Sequence, residues 1–192
     1  MTDDPTDEIV ELVEKFAGSE DLPAECADEV LTFVRSPSKE TEAPSEKEGE
    51  GAPNLENAEA SDLRAKLAEM PIPGRIKLAL FGNSVCRALL IRDGNKLIPL
   101  FVLKNPKISI KEVEEFSKNP HLADFVLRAI SDSRTYMKSG AIRFNLVTNP
   151  KTPQDISLKW LKYLQAHEIK RIAKSKNLPQ VVATSAKKLV AN

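Results

Sequence analysis

The sequence predicts an all-α protein, a short α-solenoid of stacked helices carried behind an acidic N-terminal arm. Three observations predict it. Apolar residues recur at helical spacing in short stretches, with no alternating stretch that reads as a strand. The breaks between stretches share a chemistry, an asparagine that in three cases is followed directly by proline. A seven-residue segment, Leu103 to Ser109, returns as Val147 to Pro153, 44 residues later.

The first element places Ile9, Val10, Leu12, Val13 and Phe16 on one side and Glu8, Glu11 and Glu14 on the other. Thr6 suits its N-cap, Asp7 and Glu8 suit the positive end of the helix dipole, and Gly18 suits its stop. A second stretch over 23–35 carries Cys26, Val30, Leu31, Phe33 and Val34. Two helices of about a dozen residues are marginal alone. They pack on each other and on the rest of the chain, or they fold on a partner. Residues 36–60 are Glu, Ser, Pro, Gly, Ala and Lys with almost no apolar periodicity, so a disordered acidic linker is expected there.

From residue 61 to the C-terminus about ten short helices are expected. Asn83, Asn105, Asn119, Asn149 and Asn177 each follow an apolar-rich stretch, and Pro106, Pro120 and Pro150 come directly after three of them. Asparagine tolerates the left-handed conformation that ends a helix, and proline blocks continuation. Asp93-Gly94 is a break of the same kind. Leu97, Ile98, Leu100, Phe101, Val102 and Leu103 are apolar almost all round, which implies burial on every side, with Pro99 in the first turn if Asn95 caps that helix. Ile110, Val113 and Phe116 alternate with charges, so that helix lies on the outside. Buried helices flanked by outer ones are how stacked repeats form a core, since each unit leaves an apolar face for its neighbour.

The chain has 28 basic and 28 acidic residues, and the balance hides a strong asymmetry. Residues 1–62 hold 19 acids against 4 bases, a net of −15, and residues 63–192 hold 9 acids against 24 bases, a net of +15. The longest uncharged apolar run, Leu97 to Leu103, is far below the roughly 20 residues that cross a bilayer. The acidic N-terminus does not read as a secretory signal, and a cytoplasmic location is expected. Cys26 and Cys86 are too few for a disulfide framework or a cysteine-ligated cluster.

The apolar helix, then Asn149-Pro150-Lys151-Thr152-Pro153, then a helix with Ile156, Leu158 and Leu161, carries a resemblance. Residues 73–190 resemble the leucine-rich-repeat-variant and HEAT-like class of α-solenoids. The chain is also similar to bacterial proteins that place an acidic segment ahead of such a solenoid. The resemblance implies right-handed superhelical stacking over residues 61–192 and protein or nucleic-acid binding. It implies no cofactor here, because the iron–sulfur ligands found in some members are missing.

Motifs for catalysis are also missing. There is no phosphate-cradling glycine loop, no Gly-x-Ser-x-Gly turn and no His-Glu-x-x-His. His121 and His167, at helix starts, read as ordinary surface or capping side chains, Cys86 as a small buried hydrophobe, and Trp160 with Leu161 and Leu164 as core. The chemistry that stands out is charge. Residues 159–188 carry eight Lys and Arg against one acid, Glu168. Lys170 and Lys174, like Arg134 and Lys138, are four residues apart and so are expected to share helix faces. Electrostatic binding is therefore placed on Arg128, Arg134, Lys138, Lys159, Lys162, Lys170, Arg171 and Lys174. The expected function is a non-catalytic interaction or scaffold module whose basic surface docks an acidic or helical protein segment. That segment is a partner's or the chain's own arm, whose docking helix would present Ile9, Leu12, Val13 and Phe16. The alternative expectation is sequence-tolerant binding of nucleic acid, masked by the acidic arm.

Overall fold

The structure, a computed structural model, describes residues 5–19, 21–35, 58–175 and 178–191. The described residues form twelve α-helices and one 3₁₀ turn, with no strand beyond a single bridge between Ser19 and Leu22. Two compact units divide the chain, Met1–Ile108 and Ser109–Asn192.

The first unit begins with a helical hairpin, α1 (Pro5–Phe16) and α2 (Ala24–Arg35). Thr6, expected as the N-cap, lies inside α1, because Pro5 is at home in a first turn and starts the helix earlier. Gly18 ends it with φ at 79°, the left-handed conformation that glycine, lacking a Cβ, adopts without strain. Its N–H donates to the Leu22 carbonyl at 2.9 Å, and Leu22 is wholly buried beneath the turn. α1 packs on α2, and α2 packs on α4 (Ile72–Phe81). Of the two outcomes open to these marginal helices, packing on the rest of the chain is the one observed.

The acidic linker expected over 36–60 lies outside the described residues up to 57. Its last three residues are helical, since α3 spans Ala58–Glu69 and opens with the helix formers Ala58, Glu59 and Ala60. α4 then packs on α5 (Ser84–Leu90) and α6 (Leu97–Leu103). Asn83 starts α5 by accepting the Cys86 N–H on its side chain at 3.0 Å. In α6 every residue but Leu100 is buried, as its unbroken apolar sequence requires. Pro99 sits in the first turn, and Asn95 accepts the Leu97 N–H at 2.9 Å.

The second unit runs through α7 (Ile110–Lys118), α8 (Asp124–Asp132), a 3₁₀ turn (Tyr136–Lys138), α9 (Gly140–Thr148), α10 (Gln154–Leu161), α11 (Ala166–Lys174) and α12 (Gln180–Ala191). α9 packs on both α7 and α10, and α12 packs on α10 and α11. Ser109 and Glu112 form a reciprocal capping box at the start of α7. Val147, Leu161, Leu164, Ile172, Val182 and Ala186 form the core around α12, with Phe144 and Trp160 half-buried at its rim.

The asparagines at the helix ends act differently from the expectation. Asn119 (φ −71°, ψ 116°) and Asn149 (φ −76°, ψ 123°) are extended rather than left-handed. Each precedes a proline, whose Cδ drives the preceding residue into the extended region. Their side chains do the terminating. Asn149 donates through Nδ2 to the carbonyls of Ser117 (2.9 Å) and Asn119 (3.0 Å) at the end of α7, and accepts the Lys151 N–H at 2.9 Å. Asn105 does the same in the first unit: Nδ2 donates to the Ala79 carbonyl near the end of α4 at 2.9 Å, and Oδ1 accepts the Lys107 N–H at 2.8 Å. The 44-residue repeat is thus a repeat of one buried device, a side chain that closes its own turn and satisfies the orphan carbonyls of a neighbouring helix.

Candidate functional site

The five candidate cations between residues 159 and 174 are distributed over two helices and the turn between them, and Lys187 and Lys188 lie on α12. Lys159 lies on α10, Lys162 caps its C-terminus, and Lys170, Arg171 and Lys174 lie on α11; all five are exposed. Lys170 and Lys174 share an α-helical face, as their spacing predicts. Arg171 and Lys174 also occupy the last turn of α11, where the helix dipole favours cations. Glu168, the single acid between residues 159 and 188, is spent on structure, accepting the Gln165 N–H at 2.9 Å as half of a capping box. Five exposed cations against that one carboxylate leave residues 159–174 net positive.

The structure separates the other candidates. Arg128 on α8 donates to the Asp155 carboxylate at 3.0 Å, and that hydrogen bond holds Asp155 below the usual carboxylate range. Its charge is partly answered within the unit. Arg134 and Lys138 do not share an α-helical face. Ser133 turns extended (ψ 116°) and ends α8, so Arg134 falls in a turn and Lys138 closes the 3₁₀ turn that follows. Both are exposed. Of the docking-helix residues, Ile9 and Val13 are buried within the hairpin unit, while Leu12 and Phe16 are half-buried. Their packing places α1 against α2 in this arrangement.

Aromatic side chains at the basic surface are what sequence reasoning missed. Trp160 is half-buried and packs against the core that holds Leu161 and Leu164, its indole N–H donating to the buried Ser131 hydroxyl at 3.0 Å. That bond and the core beneath fix the ring's orientation. Lys159 sets its ammonium 5.1 Å from the centre of the Trp160 ring. Tyr163 lies 5.5 Å from Trp160 between ring centres, tilted by 54°, and is 61% exposed. Arg171 sets its guanidinium 5.1 Å from the Phe144 ring. Comparison with family models, with curated proteins and with solved structures finds no match to this chain. The signal for this arrangement was in the sequence, in Lys159-Trp160-Leu161-Lys162-Tyr163, which interleaves lysines with aromatics.

The titratable groups elsewhere have structural surroundings. Burial pushes the Cys86 thiol up against the lowering effects of the Asn83 hydrogen bond and the Arg87 charge, which disfavours a reactive thiolate. Among the described residues no group of three His, Cys, Asp or Glu side chains is placed to hold a metal ion. Among them, too, no helix is long and apolar enough to cross a membrane.

Proposed function

We propose that this chain is a non-catalytic interaction module, a right-handed α-solenoid whose second unit offers a basic surface to an anionic partner. The observation that carries the reading is the set of five exposed cations on α10, α11 and the turn between them, against a single acid, Glu168, between residues 159 and 188. Such a surface attracts any partner with regularly spaced negative groups, and an acidic protein segment satisfies it by charge alone. The solenoid reading is supported by the same asparagine device ending helices in both units. A scaffold role suits a surface built from short helices that bury one face and present the other.

The test is a titration of the full chain with a fluorescently labelled poly-glutamate peptide at low and at physiological salt. Binding that weakens with salt, and that is lost in the triple variant Lys170→Glu, Arg171→Glu, Lys174→Glu, supports the reading. Binding that ignores those charges places the function elsewhere.

A further inference from the structure

Charge alone does not select among anionic partners, but the aromatic residues beside it do. We infer that the α10–α11 surface binds single-stranded nucleic acid, with the exposed Tyr163 ring stacking on a base. The inference rests on the reading of this face as an anion-binding surface, and it adds the class of partner.

Two features carry it beyond charge. A tyrosine at 61% exposure leaves most of its surface open to solvent, and a single-stranded base has an apolar face that can cover an exposed ring. Exposed lysines lie close by, Lys162 directly before Tyr163 in the chain and Lys159 with its ammonium over the Trp160 ring that Tyr163 packs against, so phosphates next to a stacked base would meet cations. Trp160 stiffens the site: its indole N–H is tied to Ser131, and its ring backs Tyr163 at 5.5 Å. An acidic polypeptide needs none of these rings. A duplex hides its base faces within the stack, so an exposed tyrosine there has nothing to cover. Contact through ring faces and phosphates reads no base edges, and the binding is therefore tolerant of sequence.

Trp160 is the single tryptophan of the chain, which makes its emission a local reporter of the site. The experiment titrates the full chain with a thymidine oligonucleotide of about ten residues, the length that such surfaces commonly span, and in parallel with poly-glutamate. Four proteins are compared: the native chain, Tyr163→Phe, Tyr163→Ala and the triple charge reversal on α11. The expected result is quenching of tryptophan emission by the oligonucleotide and an affinity that falls steeply with salt. Tyr163→Ala should bind the oligonucleotide about ten-fold more weakly, while Tyr163→Phe keeps the native affinity because the stacking face survives. Poly-glutamate binding should be the same in all three Tyr163 forms. Since Tyr163 is exposed, its removal leaves the fold intact, which the circular dichroism spectrum and melting temperature verify. If poly-glutamate binds and the oligonucleotide does not, or if Tyr163→Ala leaves oligonucleotide affinity unchanged, the inference falls and the anion-binding reading stands. If neither ligand binds at low salt, both fall.

Discussion

The carboxamide of Asn149 donates to the main-chain carbonyl of Ser117 at 2.9 Å, tying the end of α9 to the end of α7 across 32 residues of sequence. The residue is buried, and its two donors and its acceptor are all engaged. Replacement by aspartate is nearly isosteric but sets a carboxylate oxygen against two carbonyl oxygens. Asn149→Asp is therefore expected to destabilise the protein by about 2–3 kcal/mol, measured by chemical denaturation, and more than Asn149→Ser, which keeps one donor. Asn105→Asp should behave in the same direction through its lost bond to Ala79.

Arg75 on α4 grips Asp93 in the loop after α5, donating to its two oxygens at 2.9 and 2.7 Å. Asp93 also accepts the Asn95 N–H at 2.8 Å, and Asn95 in turn donates to the Asp21 carbonyl in the hairpin turn at 2.7 Å. Both charged side chains are largely shielded from water. Asp93→Ala leaves the guanidinium uncompensated and the loop untied, at an expected cost of about 3 kcal/mol. Hydrogen exchange should show faster opening of α1 and α2 in that variant, since their turn loses its anchor.

Tyr136 is buried in the second unit, and burial, with the Glu112 charge beside it, pushes its phenol from 10.0 up to about 12. Between those values the unfolded chain ionises this tyrosine while the folded chain does not. Its contribution to stability is thus complete below pH 10 and is lost as pH rises toward about 12. Melting temperatures across that window should fall more steeply for the native chain than for Tyr136→Phe, which lacks the ionising group.

Arg128 spends its charge on Asp155. Arg128→Ala should raise the Asp155 carboxyl toward its ordinary value, read by NMR titration, because the hydrogen bond that lowers it is gone. The pair is exposed, so the melting temperature should move little. Anionic ligands should bind this variant far better than the α11 charge reversal.

The helical character, the burial of α6 and the positions of the breaks were legible in the sequence because they follow from local periodicity and from glycine and proline. Gly18 was readable as a stop for the same reason. The mechanism at Asn119 and Asn149 was only half legible. Proline after asparagine already forbids the left-handed stop, but the bonds from Asn149 to Ser117 and Asn119 depend on which helices meet, and spacing does not encode that. Arg134 and Lys138 misled because four-residue spacing implies a shared face only within an unbroken α-helix, and Ser133 breaks this one. Trp160 was legible as packing on the core with Leu161 and Leu164, whereas the exposure of Tyr163 was not, because spacing does not encode which side of the turn after α10 meets solvent.

The proline after each of these asparagines carries a chemical consequence. Asparagine ages to aspartate in water when the next residue's main-chain nitrogen attacks the side-chain amide, and a proline nitrogen carries no hydrogen to give up in that cyclisation. Asn105, Asn119 and Asn149 are followed by Pro106, Pro120 and Pro150, so the bonds that close these helices are shielded from the usual route of spontaneous deamidation. Pro106 and Pro150 thus protect over time the same carboxamides on which the ends of α4 and α7 depend.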